Sequence, residues 1–455
     1  MITYIELNNF KSFKHIKFDL RKSQDKPKKM AFIYGENGSG KSNLMFSLLF
    51  LSKTLTTLTN QEKIKDLNLK EFDEILDKIN NPSDQKNILN QIFRHQYATL
   101  KDIFDEFKSL GNESPLSMEI GFFIDENHGN YKIIIDKDEV ITEELNFKKN
   151  KRMGSVFSLN KEAIKLSPSI FTDTKYKNEL EHNIEQYWGK HTFMSILFNE
   201  LKIKNKKYIN ESINKNLKDV LDWFKSYSVL CKASNSQTGK VSSNYAFLHH
   251  LQRGIVDDKD NKELMTFEKI VNTFFTKLYS DIKKVYYKFY ASDDKYRYEL
   301  YFKKLLNGQI IEIPFSLESS GTQKILDIFP FIFLAISGKT VFVDEIDDGI
   351  HDILMYSIIE SLIEAMDETE KGQFVITTHN TLLMKQLPAD NVYILDSNVN
   401  GDKSIRTIGD YDFRTQKANN IQNKYLDGAY SGVPFVGYLD LIDLVEEANE
   451  NLIKE

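Results

Sequence analysis

The chain has 455 residues, 41% of them hydrophobic and 28% charged, which is enough apolar side chain for two or three domain-sized units and too much for a disordered polypeptide. Its 60 basic and 66 acidic residues give a formal charge of -6, arguing against nucleic-acid binding through bulk charge while leaving local basic clusters open to it. The single Cys231 has no partner for a disulfide, no run of about 18 apolar residues marks a membrane span, and Met1 opens on a strand-like segment, so a cytoplasmic protein without a membrane partner is expected.

In chain order, the first half supplies a strand, a glycine loop and a helix. Met30 to Tyr34 is a short apolar run with the character of a buried strand, and Ser42 to Leu51 is rich in Leu, Met and Phe, as a helix packed on a sheet would be. Between them Gly35-Glu36-Asn37-Gly38-Ser39-Gly40-Lys41-Ser42 fits G-x-x-x-x-G-K-[ST]. In such a loop the glycines let backbone N–H groups curl around phosphates, Lys41 reaches the β/γ-phosphates and Ser42 coordinates Mg²⁺. Gly35, Asn37, Gly38, Ser39, Gly40, Lys41 and Ser42 are therefore the expected ATP-binding residues, with phosphate delivered to a helix N-terminus. A charged helical stretch follows from Gln61 to Leu110, where Gln91 and Gln96 fit a glutamine loop and fit a solvated helix face equally well. Met118 to Ile124 and Tyr131 to Ile135 then predict two strands joined by a polar turn at Glu126 to Asn130, part of an antiparallel β lobe in a first unit over 1–147.

From 148 to 293 the composition shifts to Lys, Asn, Tyr and Phe with helical spacing, as in Ile213 to Phe224, and predicts an inserted, mainly helical domain. Sustained heptads are lacking, which argues against a long coiled-coil arm. Lys148 to Arg152 and Lys202 to Lys207 are basic enough to touch phosphates, though such runs are more often solvated loop faces. Adjacent His249 and His250, with Arg253, raise a nuclease reading, but neighbouring histidines on a helix point to different faces. Tyr286 to Tyr290 and Tyr296 to Tyr301 alternate as strand faces do and predict a hairpin whose aromatics pack rather than stack on bases.

The unit over 294–455 carries three more motifs. Ser319-Ser320-Gly321-Thr322-Gln323 opens a predicted helix, so N–H groups and helix dipole are free for an anion; a serine capping its own helix looks the same. Thr340 to Val343 predicts a central strand ending in Asp344-Glu345, where the first carboxylate suits Mg²⁺ and the second suits activation of the attacking water. Phe374 to Thr378 predicts another buried strand with His379 at its carboxyl end, placed to sense a γ-phosphate.

This order of motifs resembles the ABC-type ATPase heads of the SMC and RecF group, and Ile5 to Phe13 is similar to their first strand. It is closer still to AAA-type ATP-binding proteins of bacterial phage-defence operons, the RloA, AbiL and PARIS ATPases. That group tends to show an acidic strand end followed by a Gly and a His, as in Asp344-Glu345-Ile346-Asp347-Asp348-Gly349-Ile350-His351, and a terminal block like Tyr425 to Pro434. The resemblance implies an α/β P-loop ABC-type head in which Ser320 and Gly321 complete the opposite subunit's nucleotide site. A homodimer or higher homo-oligomer is then expected, with catalysis through Glu345 and His379 and Mg²⁺ held by Ser42 and Asp344. It further implies an antiphage sensor that controls a separate, Toprim-type nuclease effector. The rival is a RecF-like DNA-binding repair ATPase. The signature departs from Leu-Ser-Gly-Gly-Gln at Ser319 and Thr322, and His351 stands where many SMC heads have Asp. A terminal block of this kind can serve as a docking surface or as a structural cap.

Overall fold

The computed structural model describes residues 1–22, 26–66, 97–148, 152–233, 236–240, 250–292, 294–411, 421–433 and 441–452, so Gln91, Gln96, His249 and Pro434 lie outside the described residues. Strands β1 (Ile2–Phe10) and β2 (Phe13–Asp19) form an antiparallel pair. Alternation makes them strands: Ile5 and Leu7 are fully buried while Glu6 and Asn8 take the other face. After β3 (Met30–Tyr34) come the helices α1 (Lys41–Thr54), α2 (Thr57–Asp66) and α3 (Leu100–Phe107). A meander follows of β4 (Leu116–Ile124), β5 (Asn127–Asp136), β6 (Glu139–Lys148), β7 (Met153–Asn160) and β8 (Ile164–Leu166). It completes a 7-stranded antiparallel sheet in the order β2-β1-β4-β5-β6-β7-β8. The β4–β5 turn is tighter than the polar run suggested. Asp125 and Glu126 both adopt positive φ (44° and 63°), a two-residue reversal that matches strand twist and lets Asn127 pair directly with Ile124.

The chain continues through α4 (Thr174–Tyr187), α5 (Phe193–Ile203), α6 (Lys206–Ser212) and α7 (Lys215–Ser226), then β9 (Ser228–Ala233) and β10 (Ser236–Lys240). Next come β11 (Arg253–Val256), α8 (Lys262–Leu278), β12 (Ile282–Ser292), β13 (Lys295–Leu306) and β14 (Gln309–Pro314). The stretch 148–293 thus holds strands as well as helices, and its strands enter every sheet: β7 and β8 the first, β9 and β10 the second, β11 and β12 the third. Its helices share one core with the antiparallel sheet, where Leu180, Met194, Val220 and Phe224 cluster with Ile5 and Tyr131. The tyrosine-rich hairpin is β12–β13, with Tyr286 opposite Tyr301.

The last part builds α9 (Ser320–Ile336), β15 (Thr340–Val343), α10 (Asp352–Glu368), β16 (Gln373–Thr377), β17 (Val392–Ser397), β18 (Lys403–Thr407), α11 (Ile421–Leu426) and α12 (Leu441–Leu452). The second sheet runs β10-β9-β15-β16-β3-β17-β18, with β9, β15, β16, β3 and β17 parallel and both edges antiparallel. Being covered on both faces, its central strands are continuous apolar runs; all residues of β3, β15 and β16 are buried. Successive residues feed opposite cores. Ala31, Ile33, Phe342 and Val375 pack towards the antiparallel sheet, whereas Phe32, Tyr34, Val343 and Ile376 pack towards α9 and α10. The two sheets are tied by Gln373, fully buried, whose amide oxygen accepts from Ile2 N (2.7 Å) and whose amide nitrogen donates to the carbonyls of Ile2 and Lys28 (both 2.9 Å). Among the described residues no helix is long and apolar enough to cross a membrane.

Candidate functional site

Strand order β15-β16-β3 sets the carboxyl ends of the acidic strand, the histidine strand and the glycine-loop strand side by side. The glycine loop turns directly against its surroundings. A Cβ on Gly35 (φ 152°) would meet the Leu395 carbonyl oxygen at 2.3 Å, and one on Gly40 (φ 111°) would meet the Phe13 ring at 2.8 Å. Gly38 (φ 81°) faces open space, Asn37 and Gly38 are exposed, and α1 begins immediately after Gly40 with no acidic residue in its first turn. Lys41 is buried, its ammonium donating to the carbonyls of Gly35 (2.7 Å) and Glu36 (3.0 Å). Ser42 is half-buried beside it. Ser39 is fully buried and its hydroxyl oxygen has no hydrogen-bond partner among the described residues. An orphaned hydroxyl, a glycine cradle and an acid-free helix start fit a phosphate chain.

The acidic turn is pinned by one threonine. Asp344 is 2% exposed, and its Oδ1 accepts from Thr377 Oγ1 at 2.6 Å. Thr377 Oγ1 in turn accepts from Glu345 N (2.7 Å), and the Thr377 carbonyl accepts from Ile346 N (3.1 Å). Glu345 sits at φ 46°, a left-handed conformation that costs a non-glycine residue and is held by these bonds. Asp347, given no role from the sequence, belongs to the same cluster. Its Oδ2 accepts from His379 N at 3.1 Å, while its Oδ1 is buried without a partner among the described residues. The available signal was its place inside the acidic run, three residues after Asp344.

Charge binds the cluster into one unit. Burial lowers the Lys41 pKa, and the carboxylates of Asp344, Glu345, Asp347 and Glu36 oppose that shift. The His379 pKa is lowered first by partial desolvation and then by the Lys41 charge, against the pull of Asp347, Glu345 and Asp344. Lys41, Asp344, Glu345, Asp347 and His379 therefore feel one another across the same small space.

The signature element is arranged differently. Ser319 caps α9, its hydroxyl accepting from Thr322 N at 3.2 Å, so the capping role equally consistent with the sequence is filled by Ser319. Ser320 is exposed at the helix start. Gly321 lies against the acidic turn of its own chain, where a Cβ would meet the Gly349 carbonyl oxygen at 2.7 Å. His351 caps α10 through Nδ1, which accepts from Ile353 N at 3.2 Å.

The terminal block, open between docking surface and cap, packs as a cap under the glycine loop. The Tyr425 ring lies 5.9 Å from that of Tyr34, its hydroxyl donates to the Gly432 carbonyl (2.9 Å), and a Cβ on Gly432 would meet Ile394 at 2.6 Å and Gly35 Cα at 3.6 Å. Gln422 bonds Thr381 (3.1 Å), and the Tyr411 hydroxyl donates to the Tyr430 carbonyl (2.7 Å).

A glycine loop opening onto a helix, set beside a buried carboxylate turn on a parallel sheet, defines a P-loop ATPase domain. The chain belongs to the family described as "AAA domain, putative AbiEii toxin, Type IV TA system", whose profile matches residues 30–385. A Helicobacter pylori (strain ATCC 700392 / 26695) protein named ATP/GTP phosphatase is 23% identical over 390 residues, covering 84% of this chain and 85% of that protein. Among solved structures, an SMC head bound to the C-winged helix domain of ScpA is similar with TM-score 0.42 and 15% identity, covering 92% of this chain and 98% of that one. The SMC head domain from Thermotoga maritima is similar with TM-score 0.37 and 13% identity, covering 89% and 98%.

Proposed function

We propose that this chain is the ATP-hydrolysing subunit of a two-headed switch whose nucleotide sites close between copies. The observation that carries the hydrolytic part is the buried Lys41 ammonium in the electrostatic field of the Asp344, Glu345 and Asp347 carboxylates, in a site where two buried oxygens, Ser39 Oγ and Asp347 Oδ1, have no partner among the described residues. Lys41 exchanges the carbonyls of Gly35 and Glu36 for phosphate oxygens, and the backbone of Gly38 to Ser42 wraps the phosphates. Ser42 and Asp344 would hold Mg²⁺, which would offset the negative charge of the phosphates. Glu345, presented by its left-handed turn, takes the proton of the attacking water. His379, whose pKa is lowered by partial burial and then by the Lys41 charge, donates a ring N–H to the terminal phosphate. Ser320 and Gly321 would complete the site of the neighbouring copy, supported by the exposure of Ser320 at a helix start.

In the cell, this ATPase would act as sensor or regulator of a separate nuclease effector in antiphage defence, a reading supported by the toxin–antitoxin wording of the family description and by the motif resemblance. The test is a pull-down of the tagged chain expressed with its operon neighbours, followed by phosphate-release assays with and without whatever co-purifies and with and without DNA. A stoichiometric nuclease partner is expected. A lone chain whose turnover is stimulated by DNA and falls steeply with salt would replace this reading by the repair ATPase.

A further inference from the structure

The residue that leads into the signature element is a buried acid. Glu318, directly before Ser319 and two residues before Ser320, is 8% exposed, and its Oε1 has no hydrogen-bond partner among the described residues. Its Oε2 accepts from Lys304 Nζ at 3.0 Å. The same ammonium lies 3.3 Å from Asp281 Oδ2, and Leu305 N donates to the Asp281 carbonyl at 2.8 Å. Lys304 thus ties the start of α9 to β13 and to the turn between α8 and β12. Burial alone would lower the Lys304 pKa, but the hydrogen bonds and charges of Glu318 and Asp281 more than reverse that, so the ammonium stays charged.

The backbone here is fixed by other groups. Gln323 Nε2 donates to the carbonyls of Ser316 (3.1 Å) and Glu318 (2.9 Å), and Ser319 caps the helix. Turn and cap are therefore held without the Glu318 side chain, and a buried ion pair adds little stability over an apolar filling. What the pair does set is charge. A helix start attracts phosphate through its N–H groups and dipole, and a carboxylate left uncompensated beside it would oppose that attraction.

We propose that Lys304 is a positioning residue for hydrolysis: by holding and neutralising Glu318, it keeps the start of α9 set to receive the phosphate bound on the neighbouring copy's glycine loop. This rests on the reading in which Ser320 and Gly321 complete that copy's site.

The test uses full-length chains and MgATP. Lys304→Met should lower kcat about tenfold while the Kd of a fluorescent ATP analogue, measured at protein concentrations too low for pairing, stays unchanged. Lys304→Arg should keep native turnover, and adding Glu318→Gln to Lys304→Met should bring turnover back to within about threefold of native, because the stranded charge leaves with the cation. Mixed with Lys41→Ala, Lys304→Met should hydrolyse about fivefold faster than the mean of the two alone, since a mixed pair sets one intact glycine loop against one intact signature. If Lys304→Met is unfolded in thermal melts, Lys304→Gln, which can still donate to Glu318, replaces it in every arm. Native turnover of Lys304→Met, a raised Kd with kcat unchanged, or no recovery on adding Glu318→Gln would overturn the proposal. A parallel mixture of Ser320→Glu with Lys41→Ala reads the two-copy site by itself. Recovery there but not with Lys304→Met overturns the role of Lys304 alone, and recovery in neither overturns both.

Discussion

Both halves of the molecule bury carboxylates, and they treat them in opposite ways. In the antiparallel half Glu143 is fully buried, and every direction around it is answered. Its Oε1 accepts from the Tyr131 hydroxyl (2.9 Å) and Met194 N (3.0 Å), and its Oε2 accepts from Trp188 Nε1 (3.1 Å) and Phe193 N (2.5 Å) at the start of α5. In the parallel half Asp347 keeps one buried oxygen without a partner among the described residues, as Ser39 does, and its charge acts on the buried Lys41. Burial alone therefore does not separate a structural carboxylate from one open to a ligand. Glu143 stitches α5 to β6, whereas Asp347 holds unspent hydrogen-bonding capacity, among the described residues, that a ligand can satisfy.

The comparison breaks most sharply at Lys41. Lys41→Ala should abolish phosphate release, by at least about a hundredfold, with thermal stability nearly unchanged, because it removes a positioned cation from developing charge. Glu345→Gln should slow turnover to a similar or slightly smaller degree yet leave ATP binding intact, so that light scattering shows an ATP-dependent pair that Lys41→Ala never forms. Identical behaviour of the two variants would collapse the distinction between binding and chemistry.

In the other half the loss should be of stability. Glu143→Ala leaves two backbone N–H groups, an indole and a phenol without their acceptor and should cost about 3 kcal/mol in chemical denaturation. Burial raises the Glu143 pKa above its ordinary value, against the four hydrogen bonds that oppose the shift. The folded state then holds this proton at pH values where the unfolded chain has lost it. Its contribution is complete below the ordinary carboxyl pKa and is lost as pH rises through the raised value. Denaturation midpoints should show this loss in the native chain and a flatter profile in Glu143→Gln. The smallest effect is expected at Asp347→Asn, which removes a charge that holds the His379 pKa up; the His379 titration followed by NMR should move further down, with the fold unaltered. An upward move would remove Asp347 from the cluster.

What could be read from the sequence was what is local. The glycine loop, the acidic strand end and the histidine strand end are each contiguous, and their chemistry follows from residue types at fixed spacing. The order β15-β16-β3 that juxtaposes them depends on pairings across hundreds of residues, which no window contains. The strands β7 and β8 are hard to read in the sequence because β7 mixes Ser and Asn with its apolar residues and is buried against helices later in the chain, while β8 is only three residues long and largely exposed. Asp347 was hidden among other acids, since only the fold reveals which oxygen is left without a donor. The terminal block was ambiguous because Tyr425 and Gly432 find Tyr34 and Gly35 only once β3 and β17 pair.

The Gln373 amide that joins Ile2 and Lys28 has a consequence for how the chain is made. Strand β3, which bears the glycine loop, hydrogen-bonds to β16 and β17, both synthesised more than 300 residues later. The antiparallel half can condense early around β1 and β4, but the loop stays on an unpaired strand until the ribosome has released most of the chain. Such long-range pairing makes folding slow. It also delays the nucleotide-binding competence of a nascent molecule until β16 and β17 have been made, so products truncated before them carry the glycine motif without the neighbouring strands that would let it work.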